Sequence, residues 1–211
     1  MARLFETYWP PVYAFIRRKG HSAAAAEDLT QAYFARFLEK DYIADFRPEA
    51  GRFRTFLRAS VAHFLANEWD RQRALKRGGG RAPVSIDAAT AEERLCLEPV
   101  DRLTPEAIFE RQWAATVLGL CIELLRDEQA AGGRGRFERL KPFLCGDEAS
   151  ASYEAAAREL GLTGSAVRVA VHRLRRRFGE VLREEVGRTV GDQDEVNAEI
   201  RWMLETVRGG Q

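Results

Sequence analysis

The stretch from Tyr153 to Phe178, YEAAARELGLTGSAVRVAVHRLRRRF, constrains the fold of this chain more than any other. Apolar residues recur at helical spacing on both sides of one glycine. Ala156, Ala157 and Leu160 share one face of a first helix over Ser152 to Leu160. Gly161 follows, at the place where helices commonly close in the left-handed conformation. Leu162 plugs the corner, and Thr163 or Ser165 caps a second helix. That helix turns Val167, Val171 or Ala170, Leu174, Phe178 and Leu182 to one side. Arg168, His172, Arg173, Arg175, Arg176 and Arg177 lie on the other. Two helices crossing at a tight turn need a small residue at their contact, which Ala157 supplies. The pattern predicts a helix-turn-helix with a basic second helix. Arg168 to Arg177 holds five arginines and no acid, so few local ion pairs are available. An ordinary hairpin with a solvated face would normally mix signs. The one-sided charge points instead to duplex nucleic acid.

The rest of the chain reads as helix, giving an all-α protein. Phe5, Tyr8, Trp9, Val12, Phe15 and Ile16 make an amphipathic helix over Leu4 to Lys19, with Pro10 and Pro11 near its first turns and Gly20 as its stop. Ser22 starts a second helix, with Leu29, Tyr33, Phe34 and Phe37 inward. Asp41 to Gly51 is a connector. Phe53, Phe56, Leu57, Val61, Phe64, Leu65 and Trp69 mark a long helix over Arg52 to Lys76. Three consecutive glycines, Gly78 to Gly80, then open a flexible linker that runs to Thr104, in which Ala88 to Leu97 allows a short helix. Thr104-Pro105 is a helix start, followed by Ile108 to Asp127. A short helix over Arg136 to Leu144 precedes the helix-turn-helix. After a break at Gly187 to Asp192, Val196, Ile200, Met203, Leu204 and Val207 form the stripe of a last helix over Asp194 to Val207. That last helix either folds back on the helix-turn-helix domain or binds a partner.

Charge is balanced overall, at +1, but unevenly placed. From Ala50 to Arg81 there are eight Lys/Arg against Glu68 and Asp70, whereas Glu92 to Glu110 is acidic. Basic faces joined by an acidic connector are expected. Cys96, Cys121 and Cys145 are widely spaced and share no ligand spacing with His21, His63 or His172, so neither a disulfide framework nor a metal site is expected. No signal peptide or membrane span is read, and a cytoplasmic location follows. No cofactor is expected. No phosphate loop, paired-carboxylate motif or nucleophile elbow is present, and Gly78 to Arg81 lacks the Lys-Ser/Thr of a nucleotide loop. The chain is not expected to be an enzyme.

The second informative stretch is Phe46 to Arg77. It interleaves aromatics (Phe53, Phe56, Phe64, Trp69) with Arg54, Thr55, Arg58, His63 and Asn67, and ends in a basic run. Aromatics among arginines suit unpaired bases, which offer a face to stack on and a phosphate to pair. Phe56, Leu57 and Phe64 are equally well explained as core. Trp69, Arg71 and Arg73, near the helix end, are expected to be exposed.

FRPEAGRFRTFLRASVAHFLANEWDRQRALKR resembles region two of the extracytoplasmic-function (ECF) sigma factors of the sigma-70 superfamily. Glu27 to Glu39, EDLTQAYFARFLE, resembles the preceding segment of that region, and the helix-turn-helix stretch resembles region four. The resemblance implies a bacterial transcription initiation factor that binds core RNA polymerase, through its clamp helices and flap, and directs it to promoter DNA. It divides the chain into region two over 1–77, the linker over 78–104, region four over 105–186 and a C-terminal extension over 187–211.

Residue by residue, the resemblance assigns Asp28, Leu29, Gln31 and Phe34 to the polymerase clamp, with Ala32 where the family commonly has an acid. It assigns Arg47, Arg52, Phe53, Arg54, Arg58, His63, Asn67, Trp69 and Arg71 to the −10 element, the loop over Arg47 to Arg52 capturing a flipped base. Phe64 and Glu68 stand where the family more often has Asn and Asp, so the −10 sequence preference is not carried over. Ser165, Arg168, Val169, His172 and Arg173 face the major groove at −35, and Arg175, Arg176 and Arg177 hold phosphates or face solvent. Any regulator, such as an anti-sigma factor, would be a separate protein. The rival reading is a self-sufficient helix-turn-helix regulator that binds duplex DNA without polymerase.

Overall fold

The fold is that of a computed structural model, which describes residues 2–40, 46, 51–75, 103–129, 134–144, 152–190 and 192–208. Among these the chain is all-α. In chain order the helices are α1 (Ala2–Arg18), α2 (Ala23–Glu39), α3 (Phe53–Leu75), α4 (Pro105–Glu128), α5 (Arg134–Leu140), α6 (Tyr153–Leu160), α7 (Gly164–Gly187) and α8 (Gln193–Arg208). A 3₁₀ turn, Lys141–Phe143, follows α5. The expected linker over 78–104 falls outside the described residues except for Leu103 and Thr104, as does the short helix expected near Ala88.

The described chain divides into two compact units, Met1–Thr116 with Gly187–Gln211, and Val117–Val186. The chain therefore leaves the first unit within α4 and returns to it at the end of α7. The C-terminal segment belongs with the N-terminal helices and does not fold back into the helix-turn-helix unit.

In the first unit, α1 supplies Tyr8, Val12, Tyr13, Phe15 and Ile16 to a core shared with Tyr33, Phe34 and Phe37 of α2 and Leu57, Val61 and Phe64 of α3, all buried. Aromatic rings join these helices edge to face. Tyr33 meets Phe64 at 5.5 Å, and Phe5 of α1 meets Phe34 at 5.0 Å between centroids. α1 starts two residues earlier than its pattern predicts, at Ala2, and Pro10 and Pro11 lie in its interior. Neither proline can donate to the carbonyl four residues back, and the buried aromatic face of α1 offsets the loss. α2 is capped by Ser22, whose Oγ accepts from Ala25 N–H at 3.3 Å. Ile108, Phe109, Trp113 and Ala114 on the first half of α4 are buried, with Phe109 against Phe15 at 6.2 Å. Thr104 caps this helix as the sequence predicts, accepting from Ala107 N–H at 3.2 Å.

The second unit is smaller. Its core joins Leu125 of α4, Phe137 and Leu140 of α5, Phe143, Ala156 and Ala157 of α6, and Val167, Val171 and Leu174 of α7. Phe178, expected on the inner face of α7, is half-buried against it.

Candidate nucleic-acid interface

In the second unit two helices meet through three residues, Gly161 to Thr163. Ser152 Oγ caps α6 by accepting from Ala155 N–H at 3.3 Å. Gly161 closes it at φ +63°, and Leu162 N–H donates to Ala157 O at 2.9 Å, the long bond of a Schellman closure. Thr163, rather than Ser165, caps α7, accepting from Ala166 N–H at 3.2 Å. Its hydroxyl also meets Ser165 Oγ at 3.0 Å. The small Ala156 and Ala157 lie in the core where the helices approach.

This geometry brings Ser165, Arg168, Val169, His172, Arg173 and Arg176 to one exposed face of α7. Val169 is 51% exposed, unusual for an aliphatic side chain, and stands among the basic groups. The Arg168 guanidinium lies 5.7 Å from the Tyr153 ring, which holds it at the turn.

The arginines at 175 and 177 are occupied within the protein. Arg175 donates to Phe143 O from Nε and Nη2, at 3.0 and 2.8 Å, tying α7 to the 3₁₀ turn. Arg177 makes a bidentate pair with Glu128, at 2.7 and 2.9 Å, and also reaches Glu180 and Glu184. This charge-assisted pair is the main influence that holds the Glu128 carboxyl below the usual carboxylate range. The expectation that Arg168 to Arg177 would find few local partners is therefore corrected. The acids sit outside that window, three and seven residues on and in another helix.

In the first unit the residues assigned to the unpaired strand separate into two sets. His63, Asn67, Trp69 and Arg71 are exposed on α3, Trp69 by 62%. Asn67 Nδ2 lies 3.5 Å from His63 Nδ1, and Arg71 pairs with Glu68 at 3.4 Å. His63 and Asn67, with Arg36, Ser60, Tyr33, Phe56 and Phe64, line a cavity of about 100 Å³ between α2 and α3.

The other set faces inward. Phe53 is buried between Tyr8, at 5.1 Å, and Phe46, at 4.9 Å. Arg54 is buried and bonded to Glu110 and Glu199. Its guanidinium carbon sits 3.7 Å from the Trp202 ring centroid and 5.4 Å from that of Trp113. Arg52 pairs with Glu199 at 2.8 Å, and Arg58 with Glu110 at 2.7 Å. Burial, the largest influence, pushes the nearby Tyr8 phenol well above its ordinary range. Phe53 and Arg54 do not reach the surface, because α4 and α8 cover the start of α3. Arg47 lies outside the described residues.

Of the residues assigned to the polymerase, Asp28, Leu29 and Gln31 are half-buried on α2. Phe34 is only 3% exposed, in the aromatic core. Sequence reasoning missed Glu110, Glu199, Trp113, Trp202 and Glu128. A signal existed for Glu199, an acid in register with the buried Val196 and Met203 of the same helix. Glu110 similarly adjoins Phe109 and precedes Trp113 by one turn.

Among the described residues no group of three or more His, Cys, Asp and Glu could hold a metal ion, and no helix is long and apolar enough to cross a membrane. Cys121 is buried, while Cys96 and Cys145 lie outside the described residues.

Residues 4–75 match the family model of sigma-70 region 2. The matched segment runs through α1, α2 and α3. No curated protein and no solved structure matches the chain.

Proposed function

We propose that the chain is a sigma factor of the extracytoplasmic-function type, which binds core RNA polymerase and selects promoters through two DNA surfaces. The observation that carries this reading is the match of residues 4–75 to sigma-70 region 2, over three helices that share one core. The helix-turn-helix with its exposed basic face supports a second, duplex-reading surface. In this reading Asp28, Leu29 and Gln31 contact the polymerase clamp, and the buried Phe34 supports them from beneath. His63, Asn67, Trp69 and Arg71 receive the unpaired −10 strand, with Trp69 as a stacking platform. Ser165, Arg168, Val169, His172 and Arg173 read the −35 groove, where arginine suits guanine and an apolar side chain suits the thymine methyl. Arg176 holds a phosphate. The factor works in the cytoplasm, without enzymatic activity of its own.

The physics of the task fits two surfaces. Reading duplex needs groove hydrogen bonds, whereas trapping unpaired bases costs a few kcal/mol of unstacking, repaid by stacking and phosphate contacts. Tethering both to one polymerase raises their combined affinity.

The test is run-off transcription with purified core enzyme. A specific transcript that depends on the chain is expected, together with co-purification with core. Duplex binding with neither would favour the self-sufficient regulator and sink the sigma reading. Replacing Gln31 by Ala should weaken core binding and leave duplex binding intact.

A further inference from the structure

The C-terminal segment is built into the start of α3. Phe53 N–H, at the first turn of that helix, has no partner within the helix by geometry. It donates to Thr189 O at 3.2 Å, from a residue 136 positions later in the chain. Beside it Glu199 of α8 takes Arg52 on one oxygen, at 2.8 Å, and is bridged by Arg54, whose Nη2 lies at 3.3 Å. Trp202, on the same helix, covers the Arg54 guanidinium. Glu199 is 1% exposed and Arg54 5%.

These contacts hold one junction. Gly51 turns the chain at φ +133°, a conformation that favours glycine, and Arg52, Phe53 and Arg54 follow at once. Thr189 fixes the backbone of this junction, and Glu199 its side chains. A carboxylate so buried does not exchange partners readily, since release would leave an unpaired charge away from water. The segment is therefore a permanent brace and not a lid that competes with DNA for these arginines.

We propose that Glu199 is a positioning residue for promoter opening. Through Arg52 and Arg54 it sets the direction in which α3 leaves Gly51, and so the placement of His63, Asn67 and Trp69 against the unpaired strand. The inference rests on the proposed function and extends it to a segment outside the matched residues.

The experiment compares wild type, Glu199→Gln and Glu199→Asp as full chains bound to core polymerase. It measures core affinity, affinity for a −35 duplex, and the fraction of promoter opened, read by permanganate reactivity of −10 thymines. For Glu199→Gln the opened fraction should fall about tenfold, as expected for a misplaced binding group. Core and −35 affinities should stay within about twofold, because the side chains that Glu199 holds, Arg52 and Arg54, belong to neither of those assigned surfaces. Glu199→Asp, which keeps the charge, should recover part of the opening. A merely structural role would lower all three measures together and overturn the proposal, as would unchanged or increased opening. Where Glu199→Gln does not fold, Glu199→Asp decides against wild type, because it keeps the buried charge and draws the carboxylate one methylene back from Arg52 and Arg54. Reduced opening at unchanged unfolding midpoint supports the proposal, and normal opening overturns it. Wild type that opens no promoter would sink the proposed function itself, which separates that failure from this one.

Discussion

Arg54 and Arg168 carry the same guanidinium on helices of nearly equal length, 23 and 24 residues, and they do opposite work. Arg54 is enclosed by Glu110, Glu199, Trp113 and Trp202, with its charge spent inside the first unit. Arg168 stands exposed at the turn of the second unit, beside the Tyr153 ring and within reach of the charge of the exposed Glu154. The difference lies in what the rest of the chain brings to each. α3 is covered at its start by two other helices, each carrying a carboxylate aimed inward. Arg168 feels only the charge of the exposed Glu154 on α6 among the described acids, and neither side chain is enclosed. A basic residue is available to a nucleic acid only where the fold does not enclose it with an internal acid, and sign alone does not decide this.

The sharpest way to break the comparison is to remove each guanidinium. Arg54→Ala leaves two carboxylates buried around a cavity, and breaking such a pair costs about 3–5 kcal/mol. Denaturant unfolding of the purified chain should show a loss of that size in the first unit. A loss under about 1 kcal/mol, the level of an exposed pair, would mean that the network is open to water. Arg168→Ala and Arg173→Ala should leave unfolding unchanged within about 0.5 kcal/mol, as surface substitutions do. Each should weaken binding to the cognate −35 duplex by about 1–3 kcal/mol in a titration at fixed salt and relax specificity there. Arg176→Ala should instead weaken binding evenly across sequences and reduce the salt slope by about one. Equal effects of all three on every sequence would reassign Arg168 and Arg173 to the phosphates.

Much of this contrast was legible from local pattern, and its other half was not. The turn between α6 and α7 was readable because each of its requirements is local: a small residue at the contact, a left-handed glycine, a hydroxyl to cap. The last helix was expected over Asp194 to Val207 and spans Gln193–Arg208, since an apolar stripe reports its own length. The stripe does not report what it packs against. The partners of Arg54 are 56 and 145 residues away, and helical periodicity carries no information about such pairings. The same limit misled the count of acids around α7, where Glu128 comes from another helix to meet Arg177.

Gly161→Ala tests the turn that presents Arg168. Space is not the obstacle, since an added Cβ would meet nothing within 4 Å. The strain comes from φ +63°, which costs an L-residue about 1–2 kcal/mol. The second unit should lose that much stability on denaturation while the first keeps its own. Wild-type stability would indicate that α6 can close without the left-handed residue.

The smallest effect concerns the acid that holds Arg177. Arg177 keeps the Glu128 carboxyl ionised below its ordinary value of 4.5, so the folded form binds its proton less readily than the unfolded chain. The stabilisation is fully present above pH 4.5 and fades as the pH falls through the lower, folded value. Both side chains are more than a third exposed, so water and salt screen the pair and the contribution is small. Glu128→Gln should flatten the unfolding curve between pH 5 and pH 3 by a fraction of a kcal/mol, roughly, and more so at low salt. An equal acid dependence in wild type and Glu128→Gln would show that Glu180 and Glu184, on α7 itself, are enough to hold Arg177. The engagement of Arg177 away from the exposed face of α7 would then be a property of that one helix, and α4 would have no part in choosing which arginines remain open on the face proposed to meet DNA.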